Sequence, residues 1–424
     1  MADLPRVLAI MGSGETAPTM VTTHQELLAM LPADARAVLV ETPYGFQENA
    51  TEISERAIDY FRRRVGHDLA AVGPRTPSDG DGGGWDTTIA TLQDADYVFA
   101  GPGSPTYALD QWRATAFADV LGTKLRNGGI VTFASAAAVG LGHMAVPVYE
   151  IYKVGQAPRW VPGLDLLSIA GATAAVIPHF DNAEGGTHDT RFCYLGARRL
   201  DLMERQLDAD ALVIGVDEHT ALILNLTART ARVRGRGGVT VRRAGRTLRV
   251  IPSGSQISLA ELQRAAAITA DGATTDAATA TPPPKAVEPD TTALTLTEQV
   301  QRATGAFDAA LAARAAQHAV AAILDLEAAI AQWSADTTQS DEGDRARAAL
   351  RGLIVRLGDA AADGLRDPIE QITPLADVVV RTRTALRRRK DYELADALRD
   401  DAADAGLELR DTAQGTTWHL LTDS

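Results

Sequence analysis

Several residue types and sequence patterns are scarce in this chain of 424 residues, and the scarcity of each excludes a kind of site or a class of protein. A single cysteine, Cys193, excludes an internal disulfide and a zinc site built from several thiolates. With 41 basic and 55 acidic residues the formal net charge is −14, so the chain as a whole does not attract nucleic acid or anionic membranes. No run of about 18 apolar residues predicts a membrane span, and residues 1–11 lack the basic region of a signal peptide. We expect a cytoplasmic protein.

Short apolar segments alternate with amphipathic helical patterns in the first half of the chain. The candidate strands lie at 7–11, 37–41, 97–100, 130–134, 174–178 and 211–216. This alternation predicts the α/β class, with a parallel sheet flanked by helices on both faces. Residues 222–258 change to short, basic, alternating segments, which predict an antiparallel edge.

The composition changes after residue 264. Residues 265–295 are rich in Ala, Thr and Pro, which is typical of a linker. Beyond it, an apolar stripe at helical spacing includes Ile323, Leu326, Ile330 and Trp333. We therefore predict an α/β domain at 1–264, a linker at 265–295 and a small, mostly helical domain at 296–424.

Ser135 follows the apolar run 130–134 and opens a stretch of small residues that predicts a helix. A hydroxyl at such a strand-to-helix turn is presented at the carboxyl edge of a sheet, where helix N–H groups stabilise an oxyanion. This placement suits an activated nucleophile. A serine in the same place is also a favoured helix N-cap, and this segment alone does not separate the two interpretations.

Two further strand ends favour the nucleophile. After the strand at 97–100, Gly101 and Gly103 allow the backbone to approach a ligand closely. After the strand at 174–178, His179 is placed to act as a base. A lone histidine in such a place is more often structural. A turn, a nucleophile and a base at three strand ends are together a stronger sign of catalysis than any one of them.

Residues 1–258 resemble the serine peptidase family that includes dipeptidase E and cyanophycinase, which has the class I glutamine amidotransferase-like fold. The matching segments are Gly12-Ser13-Gly14-Glu15, Gly101-Pro102-Gly103-Ser104-Pro105-Thr106, Ser135-Ala136-Ala137-Ala138, His179-Phe180 and Gly215-Val216-Asp217-Glu218-His219-Thr220-Ala221-Leu222. The elbow around the serine departs from that family, because Phe133 and Ala137 stand where it usually has glycines.

The resemblance implies acyl transfer to Ser135, with His179 as general base and then general acid. The N–H groups of Gly103 and Ala136 would form the oxyanion hole. A carboxylate should orient His179, and we expect Glu150, which lies among apolar neighbours, with Asp181 as the alternative.

Substrate contacts are expected from the polar loop after the base and from the arginine that follows it. The residues are Asn182, Glu184, His188 and Arg191. An arginine there is able to bind a substrate carboxylate, although a solvated helix arginine is equally consistent with the sequence. We predict no metal and no cofactor. Cys193 is a second candidate nucleophile, but it lies in an apparent helix at 190–200, where a core thiol is the simpler interpretation.

Residues 345–424 resemble the C-terminal end of cysteinyl-tRNA synthetases. The matching elements are Lys390-Asp391-Tyr392, Leu394-Ala395-Asp396-Ala397-Leu398-Arg399-Asp400, and Asp411-Thr412 followed by Gly415-Thr416 and Trp418. The ATP motifs of those enzymes are absent from this sequence, so the resemblance implies only the tail, which in that family helps to hold tRNA. The six basic residues between Arg381 and Lys390 form a local patch for RNA or a solvated helix face.

Two hypotheses of different classes remain open at this point. The first is a cytoplasmic serine hydrolase that cleaves a short peptide or isopeptide, with aspartyl and arginyl substrates as the two candidates, fused to a tail that holds tRNA. The second is a weak or inactive peptidase-like scaffold that serves as a tRNA- or protein-binding adaptor. No membrane partner is expected, and a homodimer is compatible with either hypothesis.

Overall fold

The computed structural model describes residues 4–75, 84–184, 188–267, 294–333, 342–362, 368–412 and 415–421. The chain divides into two compact units, one of Met1–Leu296 with Ala329–Asp344 and one of Thr297–Ala328 with Arg345–Ser424. Within the first unit, the ring of Trp333 packs edge-on against that of His219, with 5.3 Å between the ring centroids. Most of the predicted linker lies outside the described residues, and the predicted domain limits stay a prediction.

Eight strands form the main sheet among the described residues, in the order β14–β11–β10–β1–β5–β4–β2–β3. Their bounds are β1 Arg6–Met11, β2 Ala37–Val40, β3 Ala70–Val72, β4 Tyr97–Ala100, β5 Gly129–Ala134, β10 Thr220–Asn225, β11 Thr230–Gly235 and β14 Gln256–Ser258. The five strands from β1 to β3 along this order are parallel to their neighbours, and β10, β11 and β14 are antiparallel additions. The predicted parallel sheet and its antiparallel edge are both confirmed.

A second sheet has the order β13–β12–β9–β8–β6–β7 within the described residues. Its strands are β6 Met144–Ala145, β7 Val161–Pro162, β8 Ala174–Ile177, β9 Leu212–Val216, β12 Gly238–Arg243 and β13 Arg246–Pro252. The strand β8 is parallel to β9, and β12 and β13 continue the sheet as antiparallel strands. The candidate strands at 174–178 and 211–216 therefore form, but they lie in this second sheet.

Helices cover both faces of the main sheet. Alternate residues of its strands point to opposite faces and pack into two separate cores. Leu8 and Ile10 of β1 face one core, and Val7, Ala9 and Met11 face the other. The helices of the first unit are α1 Val21–Leu28, α2 Ala50–Tyr60, α3 Gly84–Asp94, α4 Pro105–Arg113, α5 Phe117–Asn127, α6 Ser135–Val139, α7 Val148–Tyr152, α8 Gly196–Glu204 and α9 Leu259–Ala267.

The remaining part of the chain is mostly helical, as predicted. Its helices are α10 Leu296–Ala312, α11 Ala316–Trp333, α12 Glu342–Ala362, α13 Pro368–Arg388 and α14 Tyr392–Asp404, and a hairpin of β15 Leu407–Thr412 and β16 Gly415–Leu420 follows. Gly406 adopts a φ of +83° after α14, which fits the predicted helix stop. Among the described residues, no helix combines the length and apolarity that a membrane crossing requires.

His24 on α1 is a buried polar residue that ties three elements together. Its Nε2 lies 2.7 Å from the carbonyl oxygen of Glu15, and its Nδ1 lies 2.9 Å from the Tyr97 hydroxyl on β4. The rings of Phe61 and Phe99 pack around it. Burial lowers the pKa of His24 to about 4, so the folded protein keeps this imidazole neutral well below the ordinary pKa of a histidine.

This lowered pKa predicts a loss of stability in mild acid. The unfolded chain takes up a proton on His24 near pH 6.5, whereas the folded protein does so only near pH 4. The free energy of unfolding should therefore fall as the pH drops through this window, by up to about 3 kcal/mol from this group. Urea denaturation at several pH values should show a shallower fall for His24→Gln, and an identical pH dependence in the two proteins would contradict the prediction.

Candidate active site

Ser135 lies at a strained turn between β5 and α6. Its φ of +48° is in the left-handed region, which a residue other than glycine adopts only at a cost. The helix α6 begins at Ser135. The Ser135 hydroxyl contacts the His179 imidazole, which favours the nucleophile over the N-cap interpretation.

The turn keeps this conformation without the glycines of the resembling family. Phe133 is fully buried and packs against Trp112, with 5.6 Å between the ring centroids. Ala137 is also fully buried, and its N–H donates to the carbonyl oxygen of Gly101 at 3.2 Å. The apolar core accommodates both side chains, so their presence does not remove the elbow.

His179 follows β8 and meets the serine, as the strand ends predicted. The His179 Nε2 lies 2.8 Å from the Ser135 Oγ, and both residues are buried. His179 also has a φ of +48°. Its N–H donates to the carbonyl oxygen of Gly12 at 3.3 Å, which fixes the base against the end of β1.

Glu218, and not Glu150, orients the imidazole. The Glu218 Oε1 lies 2.8 Å from the His179 Nδ1, so both ring nitrogens of the histidine have partners. The Glu150 carboxylate instead accepts a hydrogen bond from the Thr106 hydroxyl at 3.1 Å. Glu218 lies two residues after β9, within the segment 215–222 that resembles the peptidase family, and the sequence reasoning did not identify it as the orienting acid.

The alternative acid, Asp181, supports Glu218 from behind. Its Oδ1 accepts a hydrogen bond from the backbone N–H of Glu218 at 2.7 Å. Asn182 has a similar position: it is fully buried and donates from Nδ2 to the Glu218 Oε1 at 3.2 Å. Its side chain therefore holds the Glu218 carboxylate from a buried position, and a contact of Asn182 with substrate stays a prediction.

The charges around His179 favour its protonated form. Burial alone lowers the pKa of His179, but the hydrogen bond and charge of Glu218, with the charges of Glu15 and Glu184, raise it above its ordinary value. Burial would raise the pKa of Glu218, yet its contact with His179 holds that pKa below the ordinary value. Such an arrangement stabilises the imidazolium that forms when the histidine takes a proton.

The backbone of the loop after β1 passes very close to the loop that carries Glu218. A Cβ on Gly12 would lie 2.0 Å from the carbonyl oxygen of Asp217, and one on Gly14 would lie 2.0 Å from the His219 Nδ1. Only glycine fits at these two positions, and Gly14 also has a φ of +67°. The Gly-Ser-Gly-Glu motif thus serves to bring the ends of β1 and β9 together.

Gly103 and Ala136, the predicted oxyanion donors, lie just after the paired strands β4 and β5. Gly103 has a φ of +135°, and a Cβ there would lie 2.0 Å from the carbonyl oxygen of Pro43. Ala136 is the second residue of α6. The hydrogen bond from the Ala137 N–H to the carbonyl oxygen of Gly101 joins the start of α6 to the loop after β4.

The other three residues predicted to contact substrate have different surroundings. The Glu184 Oε2 accepts a hydrogen bond from the Tyr194 hydroxyl at 2.8 Å, and the Tyr194 ring lies 6.3 Å from that of His179. His188 is exposed, with its Nε2 3.3 Å from the Tyr152 hydroxyl. Arg191 is engaged by Asp189, to which its Nε and Nη2 donate at 2.8 and 2.9 Å.

Cys193 lies in a left-handed turn and not in the predicted helix. Phe192, Cys193 and Tyr194 have φ values of +62°, +55° and +64°, and α8 begins only at Gly196. The N–H of Cys193 donates to the carbonyl oxygen of His179 at 3.1 Å. Burial raises the pKa of the thiol to about 12, so Cys193 is a covered, protonated thiol and not a second nucleophile.

In the C-terminal hairpin, the side chains of the tRNA-synthetase-like motif at 411–418 make contacts within the chain. Arg383 is buried and donates from Nη1 and Nη2 to the two carboxylate oxygens of Asp411, at 2.6 and 3.0 Å. Its Nη1 also reaches the Thr416 hydroxyl, and Trp418 packs in the core of this segment. Arg387 donates to Asp411 at 2.7 Å, so two of the six basic residues between 381 and 390 are engaged within the chain.

Comparisons with solved structures and with curated proteins each find similar proteins for part of the chain. A peptidase from an acI-B1 Actinobacterium is similar in structure, with 20% identity, a TM-score of 0.49 and coverage of 61% of this chain and 98% of that one. A putative peptidase E protein from Listeria monocytogenes EGD-e is also similar, with 14% identity, a TM-score of 0.37 and coverage of 56% and 98%. No family model matches the chain.

Curated relatives match a shorter segment. The cysteine–tRNA ligase of Acidiphilium cryptum is 36% identical over 103 residues, which is 24% of this chain and 23% of that protein. The cysteine–tRNA ligase of Petrotoga mobilis is 38% identical over 48 residues, or 11% of this chain and 10% of that protein. The chain thus spans about a tenth to a quarter of the length of these relatives.

The two glutamates give a direct test of the site geometry. Glu218→Gln should lower the pKa of His179, because the variant loses the negative charge beside Nδ1. Glu150→Gln is the matched control and should leave that pKa unchanged, since its carboxylate contacts Thr106. NMR titration of the His179 ring protons, assigned with a His179→Gln variant, measures both. If the pKa of His179 fell as much in the Glu150 variant as in the Glu218 variant, Glu150 would be the acid that orients the histidine.

Proposed function

We propose that the first unit is a serine hydrolase that cleaves a short peptide or isopeptide. The observation that carries the proposal is the continuous chain of contacts from the Ser135 Oγ through His179 to Glu218, with 2.8 Å at each step. Nucleophile, base and orienting acid in this geometry are what acyl transfer requires, whatever the fold that presents them. The placement of Ser135 at a left-handed turn that opens a helix supports its role as the nucleophile.

The reaction proceeds in two balanced steps. The Ser135 oxygen attacks the substrate carbonyl carbon while the His179 Nε2 takes the hydroxyl proton. The N–H groups of Gly103 and Ala136 are assigned to the oxyanion that forms. The carbon–nitrogen bond then breaks as His179 gives this proton to the leaving amine. Water, deprotonated by His179, next attacks the acyl-enzyme and releases Ser135 with its proton restored.

The charges near the site favour a substrate with a positive group over one with a carboxylate. Glu15, Glu184 and Glu218 all act on His179 as negative charges. Arg191, expected to bind a carboxylate, is already paired in a bidentate manner with Asp189. Of the two substrate types, an arginyl or free-amine group therefore suits the site better than an aspartyl side chain.

Acylation by a fluorophosphonate probe tests the hydrolase directly. Wild type should be labelled on Ser135, and Ser135→Ala should lose labelling and more than about 10³-fold of any dipeptide turnover. The variant should stay folded, because one hydrogen bond contributes only about 1 kcal/mol. Wild type that remains unlabelled while folded would favour the alternative, an inactive scaffold that works as an adaptor.

Substrate charge is tested in the same assay with paired dipeptides. Arginyl dipeptides should be cleaved with a higher kcat/KM than aspartyl ones, and Glu184→Gln should narrow the difference. Arg191→Gln is the matched control and should leave the ratio unchanged. A preference for aspartyl substrates that disappears in Arg191→Gln would show that the arginine binds substrate after all.

For the tail we propose a role in holding tRNA, on the strength of its similarity to cysteine–tRNA ligases and of its exposed basic residues. Arg381, Arg388, Arg389 and Lys390 are exposed on and just after α13, in contrast to the buried Arg383. Arg387, at the same end of the helix, already donates to Asp411. Contacts of such side chains with phosphates release counterions and make binding depend on salt.

A gel-shift assay of the full chain with tRNA at several salt concentrations tests the tail. Replacing Arg388, Arg389 and Lys390 with Gln should weaken binding and reduce the slope of log affinity against log salt by about 2 to 3. The same replacement of Arg345, Arg347 and Arg351, exposed on α12, is the control for lost charge and should have a smaller effect. Equal effects would assign binding to general charge and not to this patch.

A further inference from the structure

We infer that the first unit holds a second ligand site, for a small phosphate-bearing molecule, at the end of the main sheet opposite Ser135. The site is a cavity of about 520 Å³. Three arginines line it: Arg6, Arg126 and Arg229. This volume lies within the range of about 300 to 1,000 Å³ that small-molecule sites occupy.

The position of the cavity separates it from the catalytic residues. Arg6 is the first residue of β1 and pairs with Gly129, the first residue of β5. Ser135 follows the last residue of β5, which pairs with Met11. Five residue steps along a strand correspond to about 17 Å, so the cavity and the nucleophile lie at opposite edges of the same sheet.

The charge of the cavity is unusual for this chain. Its lining residues include three arginines and no acidic residue, although the chain has a net charge of −14. Elsewhere in the unit, arginines commonly pair with acids, as Arg36 does with Asp94 and Arg242 with Glu204. Within the described part of the chain, no ion pair engages Arg6, Arg126 or Arg229. Three unneutralised cations around one cavity are arranged for an anion.

One of these arginines is held in place by backbone groups. The Arg6 Nη1 and Nη2 donate to the carbonyl oxygens of Arg126 and Leu226, at 3.4 and 3.3 Å, and its Nε lies 3.5 Å from the Thr227 hydroxyl. A guanidinium has five N–H groups, so two remain for a ligand after these contacts. A donor fixed before binding loses less entropy when the anion arrives.

The rest of the lining indicates what else the ligand contains. Polar groups come from Ser168 and from Gln263, whose Nε2 donates to the carbonyl oxygen of Ala170 at 2.9 Å. Leu125, Ile169, Leu226 and Leu259 also line the cavity, but its accessible surface is mostly polar. Arginines suit a phosphate, which they bind in bidentate fashion, and the polar lining suits a hydroxyl-bearing body attached to it. The chemical class is a phosphate monoester with a polar body such as a sugar.

Calorimetric titration of the full chain with AMP tests the site. AMP should bind, while adenosine, which lacks the phosphate, should bind at least tenfold more weakly, and inorganic phosphate should compete. The double variant Arg126→Gln/Arg229→Gln should weaken AMP binding at least tenfold, and the corresponding Lys variants should recover part of it. Arg64→Gln, an exposed arginine outside the cavity, is the control and should bind AMP as wild type does.

Four outcomes would overturn the inference. The first is the absence of heat at millimolar AMP with the folded wild type. The second is AMP binding that the double variant leaves unchanged, and the third is AMP binding that disappears once a fluorophosphonate occupies Ser135, since the ligand would in either case lie elsewhere. The fourth is displacement of AMP by a short single-stranded RNA that binds more tightly and responds to the same variants, which would make this surface a contact for nucleic acid.

Discussion

The active site depends on one close approach of backbone to backbone, where the loop after β1 meets the loop after β9. Gly12 and Gly14 have no side chains, so the carbonyl oxygen of Asp217 and the ring of His219 lie where a Cβ would otherwise be. The carbonyl oxygen of Gly12 then accepts the N–H of His179. A single segment therefore sets the distance between the nucleophile, which the main sheet carries, and the base and acid, which the second sheet carries.

The strain at the site is held by the same surroundings. Ser135, His179 and His219 all have φ values near +50°, which cost about 1 to 3 kcal/mol each for residues other than glycine. Such conformations persist only where neighbours determine them. Here the neighbours are the fully buried Phe133 and Ala137 at the elbow, and the backbone contact of His179 with Gly12. Hydrophobic packing replaces the freedom that glycines give to the elbow in the resembling family.

Much of this arrangement could be predicted from the sequence, because apolar runs that end in a polar residue locate the carboxyl edge of a sheet. That reasoning placed Ser135 and His179 together. Applied to the run 212–216, it would also have found Glu218, which follows that strand by two residues. Glu150 is predicted from its place fifteen residues after Ser135 and from its apolar neighbours, and neither observation says which group a carboxylate faces.

The sequence offered no signal for other features. Residues 190–195 have helical composition, but three successive left-handed residues form a turn there that only tertiary contacts with His179 and Phe180 impose. The motif in the tail was recognised correctly, yet its spacing does not reveal that Asp411 serves Arg383. A sequence motif identifies charged residues such as Asp411, but the fold determines which partner each of them contacts.

Cys193 has a practical consequence for the study of this chain. The only thiol in 424 residues is buried and remains protonated far above neutral pH, so alkylating reagents have no reactive target in the folded wild type. A cysteine introduced at the surface would therefore be the single site for a fluorophore or a spin label. Pairs of such labels, one in each compact unit, would report the separation of the units in solution, and the native thiol would not be labelled.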